Sequence, residues 1–572
     1  MVTPEIIEAS KLWLTSTFDA ETQKEIQDLI DNNPEELTDR FYKNMEFGTG
    51  GMRGVMGAGT NRINKYTLGK ATQGLSNFLL QNNPNKELST VIAYDCRHNS
   101  KEFAKVVADV FTANGIKVFL FDDLRTTPEL SFAVRHLGAD AGIVLTASHN
   151  PPEYNGYKVY GADGCQVTPP NDGLIIDEVN KVSFDKIKFE ANDSLLTYIG
   201  EDVDNAFNQV SVDNGTFGDI DRSALKVVFT ALHGTSIKSV PQVLEKAGFS
   251  DVHLVKEQAT PNGDFPTVKS PNPEEPEALA MATELSNQIG ADILMGCDPD
   301  SDRLGIAVRD LDGNMKLLNG NQTMILMTDF LINQKKKAGK LNGTQFTATT
   351  IVSSEMVKVL ADHYGIETVI TLTGFKWIGK AIADNPSKDF VGGGEESFGY
   401  MIGDFVRDKD AVTSCLLACE MAAHAKANGT TLYQQLLDIY IQHGYYKESL
   451  ISITKKGMDG AAQIQQMIAD FRENPIKEIL GSKVKYVCDY EYSTKKNLIT
   501  GEETTIDVPK SNVLIYHTED GTKVCVRPSG TEPKIKFYFG VKGTLSSRDQ
   551  AGLVEAQLDQ KIKDVIVALN LN

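Results

Sequence analysis

The segment 90–121, TVIAYDCRHNSKEFAKVVADVFTANGIKVFLF, decides the architecture. Residues 90–94 and 117–121 are short runs of apolar and β-branched side chains, and residues 100–113 between them carry apolar positions at helical spacing. The same cycle of short strand and amphipathic helix then recurs. Residues 141–145 add a strand. A second cycle runs through 226–232, 252–255, a helix over 276–289, and 292–295. A third uses 346–351, 368–372 and 390–391, with a helix over 411–426. Strands alternating with helices of this length predict doubly wound α/β domains with mostly parallel sheets. Past residue 445 the alternation stops. Strands at 449–454, 513–516, 524–526 and 534–539, with helices at 458–473 and 553–569, predict an α+β domain. The expected limits are 1–205, 206–320, 321–445 and 446–572, which agrees with a prior of about 150 residues per domain.

Composition narrows the function classes. Hydrophobic residues are 41% and charged residues 23% of the 572, enough for full cores. The 57 basic against 77 acidic side chains give a net charge of −20, which disfavours nucleic acid and anionic membrane surfaces as partners. Small anions remain open, because a cleft can be locally basic. Seven cysteines without a C-x-x-C pair predict free thiols and a cytoplasmic protein. The opening 14 residues, with Glu5, Glu8 and Lys11, do not read as a secretory signal.

In open parallel sheets, ligands gather beyond the carboxyl ends of strands, and polar loops stand at such places here. Thr146-Ala147-Ser148-His149-Asn150-Pro151 follows the strand at 141–145 and exposes a serine on a tight turn, without the G-x-S-x-G of a hydrolase elbow. Asp298-Pro299-Asp300-Ser301-Asp302-Arg303 sets three carboxylates at alternating positions, which repel one another unless a hard cation neutralises them. Arg303 stands where an EF-hand has glycine, so the loop is no calcium sensor, and Mg²⁺ is the expected ion. Gly394-Glu395-Glu396-Ser397-Phe398-Gly399 offers acceptors for sugar hydroxyls or is a flexible turn. Arg527-Pro528-Ser529-Gly530-Thr531-Glu532-Pro533 joins a guanidinium to hydroxyls and backbone N–H groups as an anion nest. Gly48-Thr49-Gly50-Gly51-Met52-Arg53-Gly54 is a further anion loop that matches no nucleotide motif.

Taken in this order, the loops resemble those of the α-D-phosphohexomutase superfamily over nearly the whole chain. The Gly48-Thr49-Gly50-Gly51-Met52-Arg53-Gly54 and Thr371-Leu372-Thr373-Gly374-Phe375-Lys376 stretches resemble its phosphoglucomutase/phosphopentomutase branch. The resemblance implies three related α/β domains and a smaller C-terminal domain around a central cleft. It implies an isomerase that moves phosphate between positions of a sugar phosphate, with glucose 1-phosphate and glucose 6-phosphate as the expected pair. Phosphopentomutase, phosphomannomutase, glucose 1,6-bisphosphate synthase and a non-enzymatic sugar-phosphate sensor are the alternatives. Phe398, where bacterial phosphomannomutases usually have histidine, ranks mannose second.

The residue roles follow from the same resemblance. Ser148 carries the phosphoryl group and, with Asp298, Asp300 and Asp302, holds Mg²⁺. Lys158 is the general acid/base, and its charged form is expected to be disfavoured beside a metal and Arg53. Arg53, His149 and Arg303 stabilise the transferring group. Thr373, Gly374, Glu395, Ser397 and Lys409 hold the sugar, while Arg527, Ser529, Gly530 and Thr531 hold the phosphate that is not reacting. Glucose 1,6-bisphosphate is the expected intermediate and activator.

Overall fold

The structure, a computed structural model, describes residues 2–48, 50–455, 457–529 and 534–571. Three helices, Pro4–Leu12, Ala20–Asn32 and Pro34–Phe41, open the chain and close over an aromatic cluster of Trp13, Phe18, Phe41, Tyr66 and Phe184. Asp19 and Asn33 cap the second and third of these by accepting from the N–H groups of Thr22 and Glu36.

The first sheet contains β1 (Gly51–Val55), β2 (Ser89–Tyr94), β3 (Lys117–Phe121), β4 (Ala141–Leu145), β5 (Tyr154–Gly161) and β6 (Leu196–Ile199), in the order β1-β5-β4-β2-β3-β6. Strands β4, β2, β3 and β6 are parallel, and β5 and β1 run antiparallel at one edge. β2 and β4 are buried almost throughout because helices cover both faces, which explains why they are apolar runs without alternation. The second sheet orders β7 (Lys226–Thr230), β8 (Asp251–Leu254), β9 (Ile293–Cys297), β10 (Leu304–Arg309) and β11 (Met315–Leu318) as β11-β10-β9-β7-β8. The third orders β12 (Gln345–Thr350), β13 (Glu367–Thr371), β14 (Asp389–Glu395) and β15 (Gly399–Ile402) as β13-β12-β14-β15.

The expected α/β architecture is present, but the sheets are mixed. β10, β11 and β15, like β1 and β5, pair antiparallel. Each of β5, β10 and β15 turns straight back from a chemistry-bearing loop, so the loop is held at both ends by one sheet. The expected strand at 390–391 is the middle of the longer β14, whose three glycines hide its extended character.

The C-terminal domain is rich in strands. β16 (Tyr445–Thr454), β18 (Ser482–Asp489), β19 (Thr494–Asn497), β20 (Glu503–Thr505), β21 (Leu514–Thr518), β22 (Lys523–Pro528) and β23 (Lys534–Gly543) form the order β16-β23-β22-β21-β18-β19-β20, while β17 (Glu478–Ile479) pairs with β18. Helices Gly457–Glu473 and Ala551–Ala568 complete it. The helix Ala411–Ala427 is buried nearly all round, including Cys415 and Cys419, because it lies between elements of the second and third domains. Asp410 caps it by accepting from Thr413 N–H at 3.0 Å. All seven cysteines are free thiols. Among the described residues, no helix is long and apolar enough to cross a membrane.

Candidate active site

The loops after β4, β9 and β14 each follow the carboxyl end of a strand, and each places a non-glycine residue in the left-handed region. These are Ser148 at φ 52°, Ser301 at φ 62° and Phe398 at φ 62°. Such conformations cost about 1–3 kcal/mol and persist only where neighbours enforce them.

After β4, Ser148 N–H donates to Thr146 Oγ1 at 2.9 Å, and Ser148 Oγ donates to Asp298 Oδ2 at 2.7 Å. His149 Nδ1 lies 3.1 Å from the same Oγ. Burial, then the charges of Arg303 and Arg53, pull the His149 imidazole down to about 3, so it is neutral.

After β9, Asp298, Asp300 and Asp302 are buried, and one oxygen from each lies within 4.8 Å of the others. Asp298 Oδ1 accepts from the N–H groups of Asp302 at 3.0 Å and Arg303 at 2.9 Å. Asp300 Oδ2 accepts from Thr127 Oγ1 at 2.9 Å and Lys158 Nζ at 2.7 Å. Asp302 Oδ2 pairs with Lys158 at 3.0 Å and Lys409 at 3.1 Å. Asp300 Oδ1 and Asp302 Oδ1 are left buried without hydrogen-bond partners. Orphaned carboxylate oxygens are costly unless a cation takes them, and an all-oxygen set beside a serine hydroxyl fits a hard divalent ion. Burial and the charges of Asp300 and Asp302 push Asp298 well above the ordinary carboxylate range. Burial would raise Asp302 too, but Lys158, Lys409 and Arg303 outweigh it and hold it far below that range.

Lys158 on β5 requires a correction. Its charged form is expected to be disfavoured beside a metal and Arg53; burial does lower its ammonium, but the carboxylates of Asp300 and Asp302 overcome that and hold it well above its ordinary value. Lys158 is therefore charged in this arrangement rather than poised to lose its proton.

On the third domain, Glu395 is buried at the end of β14 and its Oε1 accepts from Gly374 N–H at 2.7 Å. Burial and the neighbouring Glu396 raise Glu395 to about 7. Glu396, Ser397 and Thr373 face the cleft. Lys409 pairs with Asp302 of the metal loop at 3.1 Å. On the C-terminal domain, Arg527 ends β22 directly across from Lys536 on β23, and Lys534 stands nearby. Ser529 N–H donates to Lys534 O at 2.7 Å. Gly530 and Thr531 lie outside the described residues.

One open cleft of about 1160 Å³ is walled by Arg53, His149 and Lys158 from the first domain, Arg303 from the second, Ser397 from the third and Arg527 from the fourth. Several contributors escape sequence reasoning. Thr127 opens the helix Thr127–His136, and its hydroxyl holds Asp300. Thr235 Oγ1 lies 2.8 Å from Ser301 Oγ and donates to Pro299 O at 2.9 Å. Gly234 beside it has no room for a side chain, since a Cβ would meet Pro299 Cα at 2.5 Å. Glu274 pairs with Arg303, and Tyr160 OH donates to Asp408 Oδ2 at 2.6 Å, next to Lys409. None of these has a local motif that marks it.

Comparison with known proteins agrees with this geometry. Residues 44–186, 205–313 and 319–440 match α/β/α domains I, II and III of the phosphoglucomutase/phosphomannomutase family. A phosphoglucomutase of Staphylococcus epidermidis is 39% identical over 524 residues, covering 90% of this chain and 94% of that protein. One from Staphylococcus aureus strain MRSA252 is 40% identical over 514 residues, covering 89% and 91%. Among solved structures, the open form of parafusin, a phosphoglucomutase of Paramecium, superposes with a TM-score of 0.66 at 17% identity, covering 92% of this chain and 96% of that one. A putative phosphomannomutase of Thermus thermophilus gives 0.65 at 21% identity, covering 88% and 96%. These two speak for the fold alone. With three domain matches in order and relatives this similar along nearly their full length, the chain belongs to the phosphoglucomutase/phosphomannomutase family, in the phosphoglucomutase branch of the α-D-phosphohexomutases.

Proposed function

We propose that the protein is a phosphoglucomutase that interconverts glucose 1-phosphate and glucose 6-phosphate through a phosphoserine at Ser148 and a glucose 1,6-bisphosphate intermediate. One observation carries this reading. Ser148 Oγ sits 2.7 Å from Asp298 in the loop whose Thr146, His149 and Asn150 line the same cleft as Arg527, Lys534 and Lys536. A serine loop beside three aspartates and a cluster of cations suited to an anion thus share one cleft, which supports a sugar phosphate as the ligand.

In the proposed cycle, the phosphoryl group on Ser148 passes to the free hydroxyl of the bound sugar phosphate. The P–O bond to Oγ breaks as the P–O bond to the sugar forms. Charged Lys158 donates a proton to the departing serine oxygen and takes the proton of the attacking hydroxyl in its place, so it ends the step as an ammonium again. Arg53 and Arg303 bear positive charge toward the moving group, and neutral His149 keeps a hydrogen bond on Oγ. Ser148, Asp298, Asp300 and Asp302 would hold Mg²⁺, whose chemistry when bound is to neutralise charge on the phosphoryl oxygens. Thr373, Gly374, Glu395, Ser397 and Lys409 orient the sugar, and Arg527 with residues 529–531 retains the distal phosphate. The bisphosphate then turns over, so that its other phosphate meets Ser148. Released bisphosphate leaves Ser148 bare, which makes glucose 1,6-bisphosphate an activator. Free thiols throughout fit a cytoplasmic setting.

A coupled assay with glucose, mannose and ribose 1-phosphates tests the substrate. Glucose 1-phosphate should give the highest kcat/KM, and a higher value for either rival would replace this reading.

A further inference from the structure

We propose that Arg97 is the positioning residue that holds Ser148 in phosphoryl-accepting geometry. The inference rests on the proposed role of Ser148.

Arg97 follows β2 in Asp95-Cys96-Arg97 and lies behind the cleft wall, 3% exposed. Its Nη2 donates to the carbonyls of Ser148, at 2.7 Å, and Asn150. Its Nη1 donates to those of Pro151, at 2.7 Å, and Tyr154, at 3.1 Å. All four terminal N–H bonds therefore end on one loop. Nε lies 3.4 Å from Asp95 Oδ2, and Asp95 is itself fixed by Arg97 N–H at 2.9 Å and Ser100 Oγ at 2.8 Å. The second domain closes the other side. The Phe265 ring lies 5.1 Å from the guanidinium, and Gly263 packs so closely that a Cβ would lie 2.8 Å from His98 N and 3.1 Å from Arg97 Cα.

The physical consequence concerns the backbone of Ser148. Its φ of 52° is unfavourable for a residue with a Cβ. Its N–H is tied to Thr146 Oγ1 and its carbonyl to Arg97, so neither flanking peptide can rotate without breaking a buried bond. The side chain has one direction left, and Oγ points at Asp298. A planar fork of fixed donors can serve four carbonyls at once. An ammonium, a single point with three donors, cannot.

The test uses Arg97→Lys in the full chain, with saturating glucose 1,6-bisphosphate. Single-turnover transfer from the phosphorylated enzyme to glucose 6-phosphate should slow roughly 100-fold, the scale of an ångström's misplacement of a reacting group. KM should stay within about twofold, because Arg97 does not reach the sugar. The thermal midpoint separates positioning from loss of fold. Should the lysine variant not fold, Phe265→Leu relaxes the cover while keeping the arginine, and should show the same kcat-only loss at roughly tenfold. Wild-type transfer in Arg97→Lys, a loss confined to KM, or a loss that only tracks the unfolded fraction would overturn the inference. Intact mass keeps this distinct from the underlying reading. A wild-type enzyme that takes no phosphate from glucose 1,6-bisphosphate overturns both, whereas phosphorylated wild type with a normal Arg97→Lys variant overturns the inference alone.

Discussion

The two walls of the cleft are built differently. On the side of the first two domains, Ser148, Asp298, Asp300 and Asp302 are 4% exposed or less, and Ser148 Oγ, Asp298 Oδ2, Asp300 Oδ2 and Asp302 Oδ2 each have a partner on another domain. On the side of the third and fourth domains, Ser397, Arg527 and Lys536 face solvent-filled space from the rims of two separate sheets. Buried charges require fixed partners, so the first wall is preorganised before substrate arrives. The second wall meets a ligand that must be gripped in two orientations, and half-buried cations of the fourth domain together with Ser397 of the third suit that task. Variants on the first wall should therefore act on kcat, and variants on the second on KM.

The largest effect is expected from Ser148→Ala. It removes the acceptor oxygen, and turnover should fall by at least about 10³-fold. Intact mass should show one added phosphate in wild type after glucose 1,6-bisphosphate and none in the variant. A fully active variant would dissolve the distinction between the walls, since the buried side would then carry no chemistry.

Metal removal comes next. Chelation should stop turnover and Mg²⁺ should restore it. Asp300→Asn keeps the shape while deleting a charge that Thr127 and Lys158 otherwise hold in place. Its kcat should fall on the order of 100-fold with a smaller change in KM, and Mg²⁺ titrations should show weaker binding. Undiminished activity in EDTA would mean that the orphaned oxygens of Asp300 and Asp302 serve another purpose.

The first test of the open wall is Arg527→Ala. Losing one charged phosphate contact costs about 2–3 kcal/mol at a partly exposed site, so KM should rise by tens-fold in both directions. Because bisphosphate would escape more often, progress curves should also stall unless glucose 1,6-bisphosphate is added. A normal KM with no added requirement would remove Arg527 from the clamp.

Much of the buried wall is legible in the sequence because its acidic ligands lie within five consecutive residues, Asp298 to Asp302, on a loop after an apolar strand. Local crowding of like charges is a signal that a single stretch can display. What braces those ligands cannot be read in the same way. Thr127 lies 173 residues from Asp300, and Lys158 lies 142 residues from it. Lys158 shows the consequence: the expectation counts only a metal and Arg53 as its neighbours, and the two carboxylates folded against it shift it the opposite way. The α/β alternation is legible from the buried strands β2, β4 and β9. The antiparallel strands are less so, because β5 and β15 lie inside polar, glycine-bearing motif sequence whose composition resembles loop.

The smallest effect, and the finest probe of the difference between the walls, is expected from Ser353→Ala. Ser353 stands in the loop after β12, and its Oγ donates to Glu396 Oε2 at 2.8 Å while accepting from Glu396 N–H at 3.2 Å. Its carbonyl accepts from Lys523 Nζ of the C-terminal domain at 3.1 Å. One residue thus touches both the sugar-facing loop and the domain that bears Arg527. Deleting the hydroxyl leaves the Lys523 contact and frees the Glu396 carboxylate on one side. Thr350 Oγ1, 2.8 Å from Ser353 Oγ and 3.4 Å from Glu396 Oε2, can take up part of the lost bond. A half-exposed hydrogen bond with a substitute at hand is worth about 1 kcal/mol or less, which is at most roughly fivefold. That loss should fall on KM, with kcat unchanged, because no atom of the buried wall moves. Thr350→Val combined with Ser353→Ala should deepen the KM effect beyond the sum of the single variants, since each threonine or serine covers for the other. Steady-state kinetics of the two singles and the double decide the matter. A drop in kcat at constant KM would mean that the sugar-side loop is coupled to the phosphoryl-transfer centre, and the division between a preorganised wall and an adjustable one would have to be abandoned.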